Sequence, residues 1–197
     1  MTTVMTIQRS MTPRHRMAEV AVLKPAAVSD TEAVLAMLAR CSRATRFHRF
    51  HGFTDGVQYF RAQLRDRPGD QTLLAWHGST CVGVATLGAG DTGLVHLGVL
   101  IEDAWQRQGI GTQLTVSLLD NARAMGVSTV HADVLSDDLY VLKLLRRIGQ
   151  LTASVERGVW SIDLALRGQP GGPPETGCHD RDPAAFASRR AADSRAS

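Results

Sequence analysis

The sequence predicts a single α/β domain in which a mixed, mostly antiparallel sheet is flanked by helices. Stretches with the two-residue period of strands alternate with stretches that have the period of helices. Short turns join some predicted strands into hairpins, whereas helices connect others, and this combination is typical of a mixed sheet. The chain has 197 residues, 44% hydrophobic and 21% charged, which is enough for a core of its own.

The predicted elements follow the order strand, two helices, three strands, helix, strand, helix and two strands. Strands are expected at 20–23, 72–76, 80–87, 94–101, 127–135, 151–156 and 159–166, and helices at about 29–41, 55–65, 112–125 and 137–148. Asp30 belongs to an N-cap signal for the first helix, Pro68 and Gly69 end the second, and Gly149 ends the last. Arg157 and Gly158 form the turn of the closing hairpin.

These elements place the domain at residues 19–167. Residues 1–18 are predicted to be a flexible leader, and residues 168–197, rich in Pro, Gly, Ala and Arg, a disordered tail. The net charge of +3 equals the three arginines of the leader, so the domain itself is neutral. A neutral domain argues against a broad nucleic-acid surface.

The sequence also argues against membrane insertion, secretion and a disulfide framework. No apolar run approaches the roughly 20 residues of a membrane helix, and residues 1–16 lack a secretory signal. Cys41, Cys81 and Cys178 are odd in number and widely spaced, which fits neither disulfides nor a zinc site. We expect small buried side chains or a tail thiol, and a cytoplasmic protein.

The most informative segment is Gln106-Arg107-Gln108-Gly109-Ile110-Gly111, between a predicted strand and a predicted helix. Such a turn leaves backbone N–H groups unpaired at the positive end of the helix dipole, which suits a phosphate or pyrophosphate. A nucleotide P-loop is excluded because no Lys follows Gly111, and a dinucleotide fingerprint because only two glycines are present. A glycine turn without a ligand is the alternative.

Residues 99–111 resemble the coenzyme A loop of the GNAT superfamily of acetyl-CoA-dependent N-acetyltransferases, and the order of elements matches that fold. The resemblance implies acetyl-CoA as co-substrate, with no metal. It also implies the cofactor-binding residues. These are Val99, Leu100 and Ile101 for the pantetheine arm, and Gln106, Arg107, Gln108, Gly109, Ile110, Gly111 and Thr112 for the pyrophosphate loop. Asp138 stands where the family often has an Asn that binds the cofactor arm.

Residues 40–50 resemble the branch that includes protein-lysine acetyltransferase domains. In that branch a Glu ten residues before the loop commonly serves as the base, and His96 occupies this position. A histidine titrates near neutrality and can accept the proton, although a structural histidine is the alternative. Many members carry a Tyr as general acid where this chain has Leu145. Tyr140 is the fallback proton donor, with packing as its alternative role.

Four arginines recur every three residues at Arg40, Arg43, Arg46 and Arg49. On one helix they would form a basic stripe, either a solvated face or a surface for an acidic substrate or for the outer phosphate of the ligand. A metal site at His48 and His51 is not predicted, because no carboxylate or Cys lies at a useful spacing.

The sequence thus predicts an enzyme that transfers an acetyl group to an amine by direct attack in a ternary complex. A protein lysine is the favoured acceptor, and a small amine metabolite is the other. The competing hypothesis is a non-catalytic acyl-CoA-binding regulator, suggested by Leu145, Asp138 and His96, which stand where the family has Tyr, Asn and Glu. Neither nucleic acid nor a membrane is an expected partner, and a homodimer is left open.

Overall fold

The computed structural model describes residues 21–52, 54–65, 69–89 and 94–166. Within these ranges the chain forms seven strands, five α-helices and two short 3-10 helices at Val28–Asp30 and Asp103–Trp105. The predicted leader and tail, residues 1–18 and 168–197, lie outside the described residues, so their disorder stays a prediction.

The predicted α/β fold class is confirmed. The strands are β1 Val22–Pro25, β2 Gln71–His77, β3 Thr80–Ala89, β4 Val95–Ile101, β5 Thr129–Leu135, β6 Gln150–Glu156 and β7 Val159–Ala165. The helices are α1 Thr31–Arg40, α2 Arg43–Phe50, α3 Val57–Gln63, α4 Ile110–Ala124 and α5 Leu139–Ile148. The described part of β1 begins two residues later than expected, because its backbone pairs with β2 from Val22 onward.

The helix α2 has no counterpart among the predicted elements. The backbone of Cys41 is extended and ends α1, and Ser42 then starts α2 by accepting a hydrogen bond from the Thr45 amide at 3.1 Å. The expectation of four arginines on one helix is therefore wrong. Arg40 closes α1, and the other three lie on α2.

The seven strands form one sheet in the order β1-β2-β3-β4-β5-β7-β6. Every neighbouring pair is antiparallel except β4 and β5, which are parallel. The antiparallel ladders run over four to seven paired positions, whereas β4 and β5 pair only at His96 and His131. The central strand, β4, is thus paired with β5 at a single position.

Each face of the sheet has its own core. On one face, α4 buries Leu114, Leu118 and Ala122 against the strands, and Leu145 of α5 joins them. On the other face, α1 and α3 bury Met37 and other apolar side chains against β2 and β3. Burial of these helix faces is the main stabilisation of the fold. Among the described helices, none combines the length and apolarity needed to cross a membrane.

Arg49 fastens α2 to the sheet. Its guanidinium donates to the hydroxyl of Tyr59 at 2.7 Å and lies 3.3 Å from that of Thr86 in β3. It also lies 4.8 Å from the centroid of the Tyr59 ring, within cation–π distance. The space it fills lies over Gly98 of β4, where a Cβ would overlap the guanidinium. Gly98 therefore makes room for the arginine.

We predict that Gly98→Ala lowers the free energy of unfolding by about 1–3 kcal/mol, because the added methyl displaces the guanidinium. In an Arg49→Ala background the same change is expected to cost much less. Urea unfolding of both single variants and the double variant then gives a coupling energy of about 1 kcal/mol or more.

The control for this cycle pairs Gly98→Ala with Arg61→Ala, whose partly exposed side chain pairs with Glu32 of α1. Those two changes are expected to be additive. Additivity of Gly98→Ala with Arg49→Ala instead would show that the glycine is not there to accommodate the arginine.

Candidate active site

The point where β4 and β5 separate is the centre of the candidate site. His96 of β4 and His131 of β5 are opposite each other, and beyond them the two strands have no further paired positions. The edge of β4 at Val99, Leu100 and Ile101 therefore faces a gap rather than a neighbouring strand. Leu100 is buried in the core, so this edge would contact a ligand through its backbone.

The predicted phosphate-binding loop follows β4 and leads into α4. Gly109 has a φ of 85° at the N-cap, and Arg107 also has a positive φ, of 58°. The first amide of the helical ladder is that of Gln113, which donates to the Gly109 carbonyl at 3.0 Å. The amides of residues 109–112 thus precede the ladder at the positive end of the helix dipole.

Side chains on both sides hold the loop in place. Gln106 donates to the Ile101 carbonyl at 3.0 Å and to the Thr45 hydroxyl at 3.1 Å, which joins the loop to β4 and α2. Gln108 donates to the Ala104 carbonyl at 3.0 Å. The other side-chain atom of Gln108, Oε1, is buried without a hydrogen-bond partner among the described residues.

The two acids before the loop bind it to the helices. Glu102 pairs with Arg40 at 2.9 Å, and that guanidinium also donates to the Cys81 carbonyl at 2.8 Å. Asp103 accepts from the Ser42 amide at 2.7 Å and from the Thr45 hydroxyl at 2.9 Å. Partial burial by itself raises the pKa of Asp103, but these hydrogen bonds outweigh it and hold the pKa below its usual value.

The predicted base, His96, is joined by a second histidine. The ring centroids of His96 and His131 are 4.8 Å apart in an edge-on arrangement. Nδ1 of His131 is 2.8 Å from a carboxylate oxygen of Asp163, and its Nε2 is 3.3 Å from the hydroxyl of Ser161 and from a carboxylate oxygen of Asp133. The candidate base thus lies beside a fixed imidazole rather than alone.

The fallback proton donor lies near the phosphate loop. The hydroxyl of Tyr140, at the start of α5, is 3.1 Å from that of Thr112 in the first turn of α4. Tyr140 is 63% exposed, so its role is not core packing. Leu145, which stands where the family often has its tyrosine, is 1% exposed and packs in the core.

Asp138 caps α5 and approaches α2. One of its carboxylate oxygens accepts from the Val141 amide at 3.3 Å, and the other is 4.0 Å from Nδ1 of His48. His51, at the end of α2, has its pKa lowered mainly by burial, while the carboxylate of Asp133 acts in the opposite direction. The end of α2 therefore lies close to β5 and to the start of α5.

Cys41 and Cys81 are free and buried, as the sequence predicts. Burial raises the pKa of each thiol to about 11, so neither is a nucleophile at neutral pH. Cys178 lies outside the described residues.

Comparison with known proteins fits this geometry. The family model of the Acetyltransferase (GNAT) family matches residues 35–150, which is more than half of the chain. The chain belongs to the GNAT acetyltransferase family. Enzymes of this family use acetyl-CoA as co-substrate and no metal, in agreement with the co-substrate expected from the sequence. Among curated protein sequences, none matches this GNAT protein.

Several solved structures are similar in fold. The GNAT domain of PAT from S. lividans is 20% identical with a TM-score of 0.66, and the alignment covers 74% of this chain and 90% of that one. The yncA structure from Salmonella typhimurium, which contains acetyl-CoA, is 18% identical with a TM-score of 0.58, covering 81% and 100%. The ribosomal-protein-S18-alanine N-acetyltransferase from Escherichia coli is 15% identical with a TM-score of 0.58, covering 78% and 99%. At these identities the likeness shows the fold alone.

Several residues of the candidate site do not follow from the sequence motifs. His131, Asp133 and Asp163 gather beside His96, and Arg49 lies on the same face of the sheet. The sequence does indicate that His131 and Asp133 share one face of β5, because they alternate there with apolar residues. The apolar residues, Val130, Ala132 and Val134, are buried on the other face. Their approach to His96 depends on the strand order, which the sequence alone does not reveal.

We predict that Asp103→Asn lowers the free energy of unfolding by about 1 kcal/mol at about pH 7, since it removes charge-assisted hydrogen bonds from a largely exposed group. A lowered pKa in the folded state contributes stability above the pKa of the unfolded chain, and this contribution is lost as the pH falls through the folded pKa. The difference from wild type should therefore shrink below the usual aspartate pKa of 3.8.

Urea unfolding at a series of pH values measures this difference. Asp120→Asn is the control, because the side chain of Asp120 is 61% exposed where it pairs with Arg123 on α4. It should change stability little at any pH. A deficit of Asp103→Asn that stays constant down to about pH 3 would contradict a lowered pKa of Asp103.

Proposed function

We propose that this GNAT protein transfers an acetyl group from acetyl-CoA to a primary amine, with His96 as the base that deprotonates the amine. The observation that carries the proposal is the single paired position between β4 and β5. It leaves a gap along Val99 to Ile101 with the amides of α4 at its open end and His96 at its closed end. One site thus combines a place for an anion with a proton acceptor.

The loop and the edge of β4 fit coenzyme A. The amides of residues 109–112 and the helix dipole favour the pyrophosphate, with the backbone of Arg107 and Gln108 beside them. A Cβ on Gly109 would meet nothing within 4 Å, so the approach to this turn is open. The unpaired backbone edge at Val99, Leu100 and Ile101 suits the amide groups of the pantetheine arm, as an added strand would.

The chemistry follows from the position of His96. Acetyl-CoA supplies an acetyl thioester that is already activated. His96 accepts a proton from the ammonium of the acceptor, because only the neutral amine is a nucleophile. A backbone N–H on the edge of β4 stabilises the developing oxyanion. Tyr140 is the proposed proton donor to the leaving thiolate, which is a fair leaving group by itself because a thiol has a pKa of about 8.5.

A protein lysine is our preferred acceptor, and a small amine is the other. The preference rests on the similarity of residues 40–50 to the branch with protein-lysine acetyltransferase domains. The face of β5 and β7 beside His96 carries Asp133, Ser161 and Asp163, whose side chains would attract a cationic amine. The cytoplasm is the location we propose for this activity.

A non-catalytic acyl-CoA-binding regulator is the second candidate. Leu145 favours it, because a buried leucine stands where many family members have the tyrosine that protonates the thiolate. This candidate shares the coenzyme A site but not the role of His96. Measurements of binding and of turnover therefore distinguish the two functions.

We predict that Gly109→Asp binds coenzyme A at least about tenfold more weakly than Gly109→Asn, because only the aspartate adds a negative charge beside the pyrophosphate. Both residues tolerate a positive φ and act as N-caps, so both variants should fold. Isothermal titration calorimetry gives the two dissociation constants.

The control ligand for this pair is pantetheine, which lacks the pyrophosphate and should not distinguish the two variants. The ratio measured with coenzyme A should decrease as salt increases. Equal affinities of both variants for coenzyme A would show that the pyrophosphate does not bind at this loop.

We predict that His96→Gln lowers kcat about 100-fold or more, since the amide cannot accept the proton from the ammonium. The dissociation constant for acetyl-CoA should change little. The assay follows thiol release with a lysine peptide, a peptide with a free N-terminal alanine and a small polyamine as acceptors. His77→Gln, an exposed histidine on β2, is the control and should keep wild-type turnover.

Turnover of His96→Gln equal to that of wild type would exclude His96 as the base. Tight binding of acetyl-CoA without thiol release on any acceptor would favour the regulator. The acceptor with the highest kcat/KM identifies the substrate class.

A further inference from the structure

Beside the proposed base lies a group of side chains with the donor atoms of a metal site. His96 and His131 offer imidazole nitrogens and Asp133 offers a carboxylate oxygen, and these atoms all lie within 4.8 Å of one another. The three residues come from two strands whose parallel contact sets their spacing. The sequence does not predict this group, because the two histidines are 35 positions apart in the chain.

His131 is held as metal-binding histidines usually are. Its Nδ1 is 2.8 Å from a carboxylate oxygen of Asp163, the shorter of its two carboxylate contacts, so with a metal ion on Nε2 the ring proton would stay on Nδ1. A carboxylate on the remote nitrogen fixes the orientation of the ring. Nε2 points toward Asp133, whose carboxylate oxygen is 3.3 Å away. The side chain of His131 is only 12% exposed, which further limits its motion.

We propose that His96, His131 and Asp133 bind a divalent transition-metal ion, with zinc the best match, and that the bound ion inhibits acetyl transfer. Only the inhibition rests on the proposed function, because the site itself depends on the three donors alone. Tetrahedral zinc with bonds of about 2.0–2.2 Å places neighbouring donors about 3.3 Å apart. His131 and Asp133 already have that separation.

The remaining adjustment is small. The widest donor separation of 4.8 Å must close by about 1.5 Å to reach that tetrahedral spacing. The side chain of Asp133 is 44% exposed and can rotate to the ion at little cost. The fourth position would hold water, since we find three protein donors among the described residues.

The donor set selects the kind of ion. Two imidazoles and one carboxylate suit zinc, nickel or copper, whereas magnesium and calcium prefer oxygen donors throughout. The ion would not be a cofactor of the reaction. It would use the lone pair of His96 that otherwise accepts the proton of the amine, and it would add positive charge where the cationic acceptor arrives. Zinc and the acceptor amine therefore exclude each other.

The test uses the full chain without a histidine tag. Cobalt chloride is titrated first, because tetrahedral cobalt has strong visible absorption bands, and zinc chloride is then titrated by calorimetry. We expect one ion per chain. His131→Gln and Asp133→Asn should each weaken zinc binding at least tenfold. His77→Gln is the matched control outside the group and should bind as wild type does.

A second control concerns the part of the chain beyond the described residues. Cys178 and His179 are adjacent there and are metal donors in their own right. A double variant, Cys178→Ser with His179→Gln, should keep the cobalt spectrum. Loss of the spectrum in this variant, or zinc affinity unchanged by His131→Gln and Asp133→Asn, would overturn the proposed site.

Inhibition is measured separately, with buffered zinc and mass spectrometry of the acetylated product, because zinc also binds the released thiol. Wild type should lose activity over the same zinc concentrations that fill the site, and magnesium should have no effect. Full activity of the zinc-loaded protein would overturn the inhibition. If no acetyl transfer is found at all, the proposed function fails, but the cobalt spectrum still decides the metal site.

Discussion

The parallel contact between β4 and β5 is the constraint on which the candidate site depends. Parallel neighbours need a crossover connection, and here α4 provides it, so the loop after β4 must turn into the start of that helix. Both strands also end at the same edge of the sheet, which brings Gly109 and Asp138 to the same side. Because pairing stops after His96 and His131, the turn at Gly109 and the His96 side chain lie along one gap.

The loop at this gap is held by groups outside it. Gln106 links it to the end of β4, and Asp103 accepts hydrogen bonds from the backbone and side chains at the start of α2. Glu102 extends the same arrangement to the end of α1 through Arg40. These contacts fix the orientation of the backbone amides before any ligand arrives, so binding need not order the loop at the cost of entropy.

Most of the fold could be predicted from the sequence, because the spacing of apolar residues that marks each strand and each long helix lies within one short stretch of the chain. The helix α2 was missed, since it has only eight residues and buries none of them fully. The turn from β4 into α4 was predictable from the glycines that follow the strand. The position of Arg49 over Gly98 and the contact of His96 with His131 were not, because each depends on which segments become neighbours in the sheet. Non-local contacts of this kind carry much of the candidate chemistry.

The two buried cysteines have a consequence for an enzyme whose product is a thiol. Coenzyme A released near the protein could exchange with any disulfide or form a mixed disulfide with an accessible thiolate under oxidising conditions. Cys41 and Cys81 are almost fully enclosed, and burial raises the pKa of each to about 11, so both remain protonated and out of reach. Coenzyme A released by the described domain would thus not enter thiol–disulfide exchange with Cys41 or Cys81.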